Sequence, residues 1–175
     1  MGMLRLEGGI TGPLGPEVFK TRYDSSVSVR AVGDGPFGDH LCLRMSTAYS
    51  SFTHARLPTY VRDGGAWYLG SAWGLSVWPL HPTARIRPYV AGGLAFSGFQ
   101  IKDVVIDTGG GPHTIRGAYA SGLSHALEAG VTLFPGSGRV GASLAAERVT
   151  VHDTEPSTHF MSYTAGIAYR LGRWR

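Results

Sequence analysis

The sequence predicts an all-β protein, an eight-stranded antiparallel up-and-down transmembrane β-barrel that occupies residues 1–175 as a single domain. Three observations lead to this prediction. Successive segments alternate between apolar and small side chains, and the connections between these segments are alternately long and short. The charged residues in the middle of the segments all fall on the small-residue face.

Residues 160–171 show the alternation most clearly. One face consists of Met161, Tyr163, Ala165, Ile167, Tyr169 and Leu171, and the other of Ser162, Thr164, Gly166, Ala168 and Arg170. A period of two residues is that of a strand. A strand of about 12 residues that is tilted by roughly 40° spans about 30 Å, which is the thickness of the hydrocarbon core of a bilayer.

The small face of this strand favours a barrel lumen. Gly, Ser, Ala and Thr suit a narrow interior, whereas a soluble sheet usually places long polar side chains on its outer surface. We therefore expect the apolar face to contact lipid and the small face to line the lumen. A soluble two-layer β fold with ordinary alternation is the alternative.

The first four strands are predicted over residues 4–11, 26–31, 41–50 and 67–77. Their apolar faces are Leu4, Leu6, Gly8 and Ile10; Val27, Val29 and Ala31; Leu41, Leu43, Met45, Thr47 and Tyr49; and Trp67, Leu69, Ser71, Trp73, Leu75 and Val77. Each segment is assigned as a strand because the two-residue period recurs in it with mostly small or charged residues between the apolar ones.

The next three strands are predicted over residues 88–96, 122–133 and 140–147. Their outward positions are Val90, Gly92, Leu94 and Phe96; Leu123, His125, Leu127, Ala129, Val131 and Leu133; and Val140, Ala142, Leu144 and Ala146. Residues 160–171 then form the eighth strand.

The connections support a barrel of this number of strands. Those at residues 12–25, 51–65, 97–119 and 151–157 are long, and those at residues 33–39, 79–83 and 135–138 are short. An up-and-down barrel places all long loops at one rim and all short turns at the other, so this order is expected of it.

The charged residues predict how the lumen is filled. The small faces carry Arg5, Glu7, Arg30, Arg44, Glu128, Glu147 and Arg170. A buried charge persists only if it is paired, and eight strands enclose a lumen that side chains just fill. We expect an ion-paired polar plug and no open pore. Arg148 falls on the outward face, but at the loop-side end of its strand, where it can reach lipid headgroups.

Aromatic residues predict two belts at the membrane surfaces. Tyr49, Trp67, Phe160 and Tyr163 lie toward the long-loop rim, and Trp78, Tyr169 and Trp174 lie toward the short-turn rim. Amphipathic rings are enriched at both membrane–water interfaces. We therefore assign Tyr49, Trp67, Trp78, Tyr163, Tyr169 and Trp174 to the lipid interface.

The composition argues against several other classes of protein. Glycine is abundant at 26 residues, and charged residues are only 16% of the chain, below the usual share of a soluble domain. The net charge of +4 forms no basic run, so a nucleic-acid partner is not expected. The single cysteine, Cys42, excludes an internal disulfide and a CxxC metal site.

Three segments resemble the small bacterial outer-membrane β-barrel family that includes the OmpA transmembrane domain and OmpX-like proteins. They are RPYVAGGLA at 87–95, ALEAGV at 126–131 and YTAGIAYRLG at 163–172. The resemblance implies an eight-stranded barrel in the bacterial outer membrane, with its long loops at the cell surface.

The histidines and serines do not predict catalysis or a metal site. Ser124 and His125 are adjacent on a strand, so their side chains point to opposite faces and cannot readily form a nucleophile–base pair with Glu128. His54, His113, His125, His152 and His159 all map to the long-loop rim. None of them has a close ligand spacing such as His-x-His, so we expect no metal and no cofactor.

The predicted function is that of a non-enzymatic outer-membrane barrel with a structural or surface-interaction role through four long loops. Its expected partners are outer-membrane lipids and a protein that binds the loops or the barrel exterior. Two alternatives stay open at this point. One is a lipid-acting barrel enzyme, and the other is a soluble lipocalin-like barrel that encloses an apolar ligand.

Overall fold

The computed structural model describes residues 2–55, 61–62, 64–81, 83–107, 109–136, 138–152 and 156–172. The elements are β1 (Gly2–Gly15), α1 (Glu17–Arg22), β2 (Tyr23–Asp24), β3 (Ser26–Pro36), β4 (Leu41–His54), β5 (Val61–Arg62), β6 (Ala66–Val77), β7 (Ile86–Ile101), β8 (Val104–Asp107), β9 (Pro112–Ile115), β10 (Tyr119–Leu133), β11 (Val140–Val151) and β12 (Thr158–Leu171).

Eight long antiparallel strands form a closed barrel, which confirms the predicted fold. The order around the barrel is β4, β3, β1, β12, β11, β10, β7 and β6, and pairing of β6 with β4 closes it. Neighbours in sequence are therefore neighbours in space, and the first strand β1 pairs with the last strand β12. Closure satisfies the backbone hydrogen bonds of every strand and leaves no free edge, as a membrane requires.

The barrel is apolar outside and polar at its centre. Ile167 and Leu144 are 62% and 51% exposed on the outer wall, whereas Glu147 is only 6% exposed inside. A soluble lipocalin-like barrel would have the reverse arrangement, with its apolar side chains around an internal ligand. The structure thus supports the lipid-facing orientation that the alternation predicts.

The two ends of the barrel differ. We call the end that carries α1, β2, β5, β8 and β9 the loop end, and the opposite end, which carries the short connections after β3, β6 and β10, the turn end. The loop end contains structure that the sequence did not predict. β5, β8 and β9 form a small separate sheet from two of the long connections.

The first long connection also differs from the loop that was predicted at residues 12–25. β1 continues to Gly15, and α1 begins directly after Pro16. Helix α1 places the apolar side chain of Phe19 inside the barrel mouth, where it is buried. Six residues are too few for a stable helix in isolation, so this packing holds α1 in place. No helix in the described part of the chain is long and apolar enough to cross a membrane.

The contrast between Trp73 and Trp78 tests the direction of the barrel wall. Trp73 is 58% exposed on the outer wall, and Trp78 is 1% exposed inside. In lipid vesicles that contain brominated acyl chains, a variant that retains only Trp73 should be strongly quenched, because bromine quenches indole fluorescence on contact. A variant that retains only Trp78 should keep its fluorescence. Equal quenching of the two variants would contradict the structure.

Candidate functional site

The centre of the lumen contains a layer of ion pairs, which we call the ion-pair layer. It consists of Arg5, Glu7, Arg30, Asp34, Arg44, Glu128 and Glu147, all of them buried. The strands β1, β3, β4, β10 and β11 supply these residues from inward positions of their alternation. Six of the seven charged residues predicted from the sequence lie in this layer.

Glu128 lies at the centre of the ion-pair layer. It accepts hydrogen bonds from Arg30 Nη1 and Nη2 at 2.7 and 3.0 Å, and Arg5 Nη1 donates to it at 3.3 Å. Arg44 also donates to it through Nη2. One carboxylate thus contacts three guanidinium groups from three different strands.

Glu7 is the second shared carboxylate. Arg30 Nε donates to it at 2.5 Å, Arg5 Nη1 at 3.3 Å and the Thr164 hydroxyl at 2.9 Å. Removing two charges from water costs free energy, and additional hydrogen bonds to both partners of a buried ion pair offset this cost. Glu7 and Arg30 are also directly opposite each other in the β1–β3 register, so the backbone holds them together.

Glu147 is less well paired than Glu128. Its only ion pair with a described residue is the one with Arg30, at 3.4 Å. It lies directly opposite Glu128 in the register of β10 and β11, where two carboxylates would repel each other. Arg30 contacts both carboxylates and so reduces that repulsion.

The sequence did not predict two residues that bond to the shared charges, Asp34 within the layer and Tyr89 next to it. Asp34 was assigned to a turn, but β3 continues to Pro36 and places Asp34 inside, 3.2 Å from Arg5 Nη2 and 2.8 Å from the Ser76 hydroxyl. Extending the alternation of β3 past Arg30 would have put Asp34 on the same face. Tyr89 bonds to both Arg5 and Glu128 through its hydroxyl, a contact between strands that alternation cannot reveal.

Arg170 points into the barrel but lies outside the ion-pair layer. Its Nη2 donates to the Ala84 carbonyl at 3.0 Å, and its Cζ lies 3.7 Å from the centroid of the Phe134 ring. Thr164, which bonds Glu7, is six residues away on β12, or about 20 Å along the strand. This separation along the barrel axis corrects the sequence prediction, which considered only the face of the strand.

Below the ion-pair layer, the turn end of the lumen is filled by aromatic and apolar side chains. Trp78 and Tyr89 stack with their ring centroids 4.5 Å apart, and Met3 and Phe134 belong to the same buried cluster. Arg87 covers the Trp78 ring, with its Cζ 4.6 Å from the centroid. A cation over an aromatic face is a favourable arrangement for a guanidinium in a site that excludes water.

Above the ion-pair layer, the loop end of the lumen contains a second apolar group, which we call the loop-end aromatic cluster. Its aromatic members are Phe19, Tyr23, Phe52, Tyr68, Phe99 and Phe160. Phe52 lies 5.2 Å from Phe160 and 5.1 Å from Phe19 between ring centroids, in edge-to-face contacts. The sequence predicted a polar lumen, whereas in the structure the ion pairs are concentrated in the middle and aromatic side chains fill both ends.

The residues assigned to the lipid interface lie in different places. Tyr49, Tyr163 and Tyr169 are exposed on the outer wall, and Trp67 is half-buried beside Tyr119. Trp174 lies outside the described residues.

Trp78 was wrongly assigned to the lipid interface. It follows the last residue of β6, and its Nε1 donates to the Ser76 hydroxyl inside the lumen at 3.0 Å. Phe160 was also predicted to lie in an outer belt, but it lies in the loop-end aromatic cluster. The height of both residues along the barrel was right, and their direction was wrong.

The histidines and Ser124 form no catalytic group among the described residues. Ser124 is buried inside, 3.4 Å from the Tyr68 hydroxyl, whereas His125 faces outward and its Nδ1 lies 2.7 Å from His152 Nε2. His159 bonds the Thr150 hydroxyl at 3.1 Å. Within the described residues, no three His, Cys, Asp or Glu side chains are close enough together to hold a metal ion.

Comparison with known proteins supports the fold. The structure is similar to Neisserial surface protein A (NspA), with a TM-score of 0.58, 12% identity and 97% of each chain covered. It is similar to Ail, the attachment invasion locus protein of Yersinia pestis, with a TM-score of 0.55, 13% identity, and 97% of this chain and 99% of that chain covered.

A third similar structure is that of the outer-membrane protein OprG from Pseudomonas aeruginosa. The TM-score is 0.62 at 12% identity, with 98% of this chain and 97% of that chain covered. No family model and no curated protein matches the sequence. The chain therefore has the fold of small outer-membrane barrels, as the resemblance in the sequence implied.

Glu128 and Glu147 offer a matched test of the ion-pair layer. Glu128→Gln removes a charge that three arginines share, so it should destabilise the barrel by about 3–5 kcal/mol, as expected when one partner of a buried ion pair is lost. Glu147→Gln removes one contact of 3.4 Å and should cost much less. Urea unfolding in detergent micelles, followed by tryptophan fluorescence, gives both values. Equal shifts of the two midpoints would contradict the central place of Glu128.

Proposed function

We propose that this protein is an integral barrel of the bacterial outer membrane that has no catalytic role and acts through its loop end. The observation that carries this proposal is the filling of the lumen in three successive layers. The loop-end aromatic cluster, the ion-pair layer and the aromatic group around Trp78 follow one another along the barrel. A barrel filled in this way is a plug rather than a channel.

Two observations support the location. The outer wall is apolar over the middle of the strands, with Leu6, Leu94, Leu127 and Ile167 all exposed. Such a surface is unfavourable in water and suits the hydrocarbon core of a bilayer. The structures to which this barrel is similar include an outer-membrane protein. Lipids of the outer membrane are thus its proposed partners along the wall.

The loop end is the proposed site of interaction with a protein partner. It carries α1 and the sheet of β5, β8 and β9, whereas the turn end has only short connections. Two of the similar structures are of proteins whose names refer to a surface and to attachment. A surface-interaction role for this chain agrees with those names and with the concentration of non-barrel structure at one end.

Solute permeability tests the plug. Liposomes that contain the folded protein should not swell in arabinose, and planar bilayers should show no stable current steps. Phe52→Ala should also stay closed, because it opens only the loop-end aromatic cluster and leaves the ion-pair layer intact. An open porin serves as the positive control. Stable single-channel currents from the unmodified protein would refute the plug.

Protease accessibility tests the orientation. Lys102 and Arg116 are exposed at the loop end, and Arg85 and Arg139 are exposed at the turn end. Trypsin added to intact Gram-negative cells should cleave at loop-end sites such as Lys102 and Arg116 and not after Arg85 or Arg139. Cleavage after Arg85 and Arg139 should require permeabilisation of the outer membrane. Cleavage at the turn end of intact cells would mean that the orientation is reversed or that the protein is not in this membrane.

A further inference from the structure

A cavity of about 560 Å³ lies at the loop end, between α1 and the ends of β7, β10 and β12. Val18 and Phe19 line it from the helix, and Ile101, Tyr119 and Ala120 line it from the barrel. Tyr119 belongs to the outward face of β10 and Ala120 to the inward face. The cavity therefore spans the rim, between the mouth of the lumen and the outer wall. Its volume is that of a small-molecule site.

The cavity is closed below. Phe19 and Phe99 form part of its wall, and their ring centroids are 5.6 Å apart. Both belong to the loop-end aromatic cluster and are buried. A molecule that enters from the loop end thus meets packed aromatic rings, with the ion-pair layer beyond them. The cavity can hold a ligand but does not lead through the barrel.

The opening of the cavity is unusually apolar for a loop region. Val18 is 57% exposed and Tyr119 is 62% exposed, and both line the cavity. Exposed apolar side chains beside a concave apolar surface mark a binding site more often than an ordinary solvated loop. At the upper end of a lipid-facing wall, such an opening is within reach of acyl chains.

One charge accompanies these apolar groups. Arg22 is the only charged residue in the described lining, and it forms no ion pair with a described residue. Tyr23, also in the lining, stays neutral because burial raises the pKa of its hydroxyl. An apolar cavity with a single guanidinium at its exposed side complements a molecule with an apolar chain and one anionic end.

The geometry points to a binding site for a single-chain fatty acid, with its chain between α1 and β10 and its carboxylate at Arg22. A cavity of this size holds one acyl chain and not a two-chain lipid. This inference requires the loop end to be accessible, but it does not depend on a protein partner there. Binding of a fatty acid and closure of the lumen can therefore fail separately.

Photo-crosslinking locates the bound chain. The folded protein in lipid nanodiscs is irradiated with dodecanoic acid that carries a diazirine near its methyl end, and the labelled peptides are identified by mass spectrometry. We expect label on the segments that contain Val18, Ile101 and Ala120, in addition to background label on the outer wall at Leu94 and Leu127. Label confined to the outer wall would show simple partition into lipid and would overturn the inference.

Two substitutions at one exposed position test whether the carboxylate of the fatty acid lies near Arg22. Val18 is on the surface of α1, so Val18→Glu and Val18→Lys should both leave the barrel folded, which a heat-modifiability gel checks. Val18→Glu should weaken and Val18→Lys should strengthen competition by unlabelled dodecanoic acid, each by about two- to fivefold, the range of an exposed ion pair. Competition by dodecanol should be the same in the two variants, because both lose the valine side chain and the alcohol carries no charge. Equal effects on the acid and the alcohol, or no effect on either, would overturn the inference.

The length of the acyl chain and a substitution that fills the cavity test whether the site has a limited volume. Competition should strengthen from octanoic acid upward and then level off when the cavity is full, whereas partition into lipid continues to rise with every methylene. Ala120→Trp, which fills the cavity, should remove the label at Val18 and Ile101 and leave the wall label at Leu127 unchanged. Retained label at Val18 in the folded Ala120→Trp variant, or a continuous rise with chain length, would refute a bounded site.

Discussion

Charges that are removed from water must be paired, and this requirement organises the barrel. Its outer wall is apolar, so the polar groups of the strands are directed inward, where only other side chains can compensate them. Glu128 meets this requirement for three arginines at once, and Glu7 for two of them. Because the partners come from different strands, the ion-pair layer also connects strands that are distant in the sequence.

The aromatic groups at the two ends of the lumen make the ion pairs stronger. They keep water away from the ion-pair layer, and electrostatic attraction increases in a medium of lower dielectric constant. The same exclusion makes an unpaired charge more costly, so the apolar ends and the charged middle depend on each other. A lumen packed in this way supports the barrel and agrees with the proposed plug.

The loop end combines the packed loop-end aromatic cluster with elements, such as α1, that closure of the barrel does not require. Phe19 anchors α1 to the loop-end aromatic cluster, while Val18 on the same helix faces outward beside a cavity. A helix turn thus contributes to the closed interior with one side chain and to an accessible surface with the next. This arrangement agrees with the proposed binding at the loop end, for which the barrel would be the scaffold.

The strands, their two faces and most of the buried charges could be predicted from the sequence, because a period of two residues is a local property that each segment carries independently. Arg5, Glu7 and Glu128 could be placed inside from their neighbours alone. Which charges meet could not be predicted in this way, because it depends on the register and the height of the strands in the folded barrel. The position of Arg170 away from the ion-pair layer and the contacts of Tyr89 with Arg5 and Glu128 could not be predicted for this reason. Asp34 and Trp78 are a different case, because the alternation of β3 and β6, continued past the predicted ends of these strands, puts both side chains on the inward face.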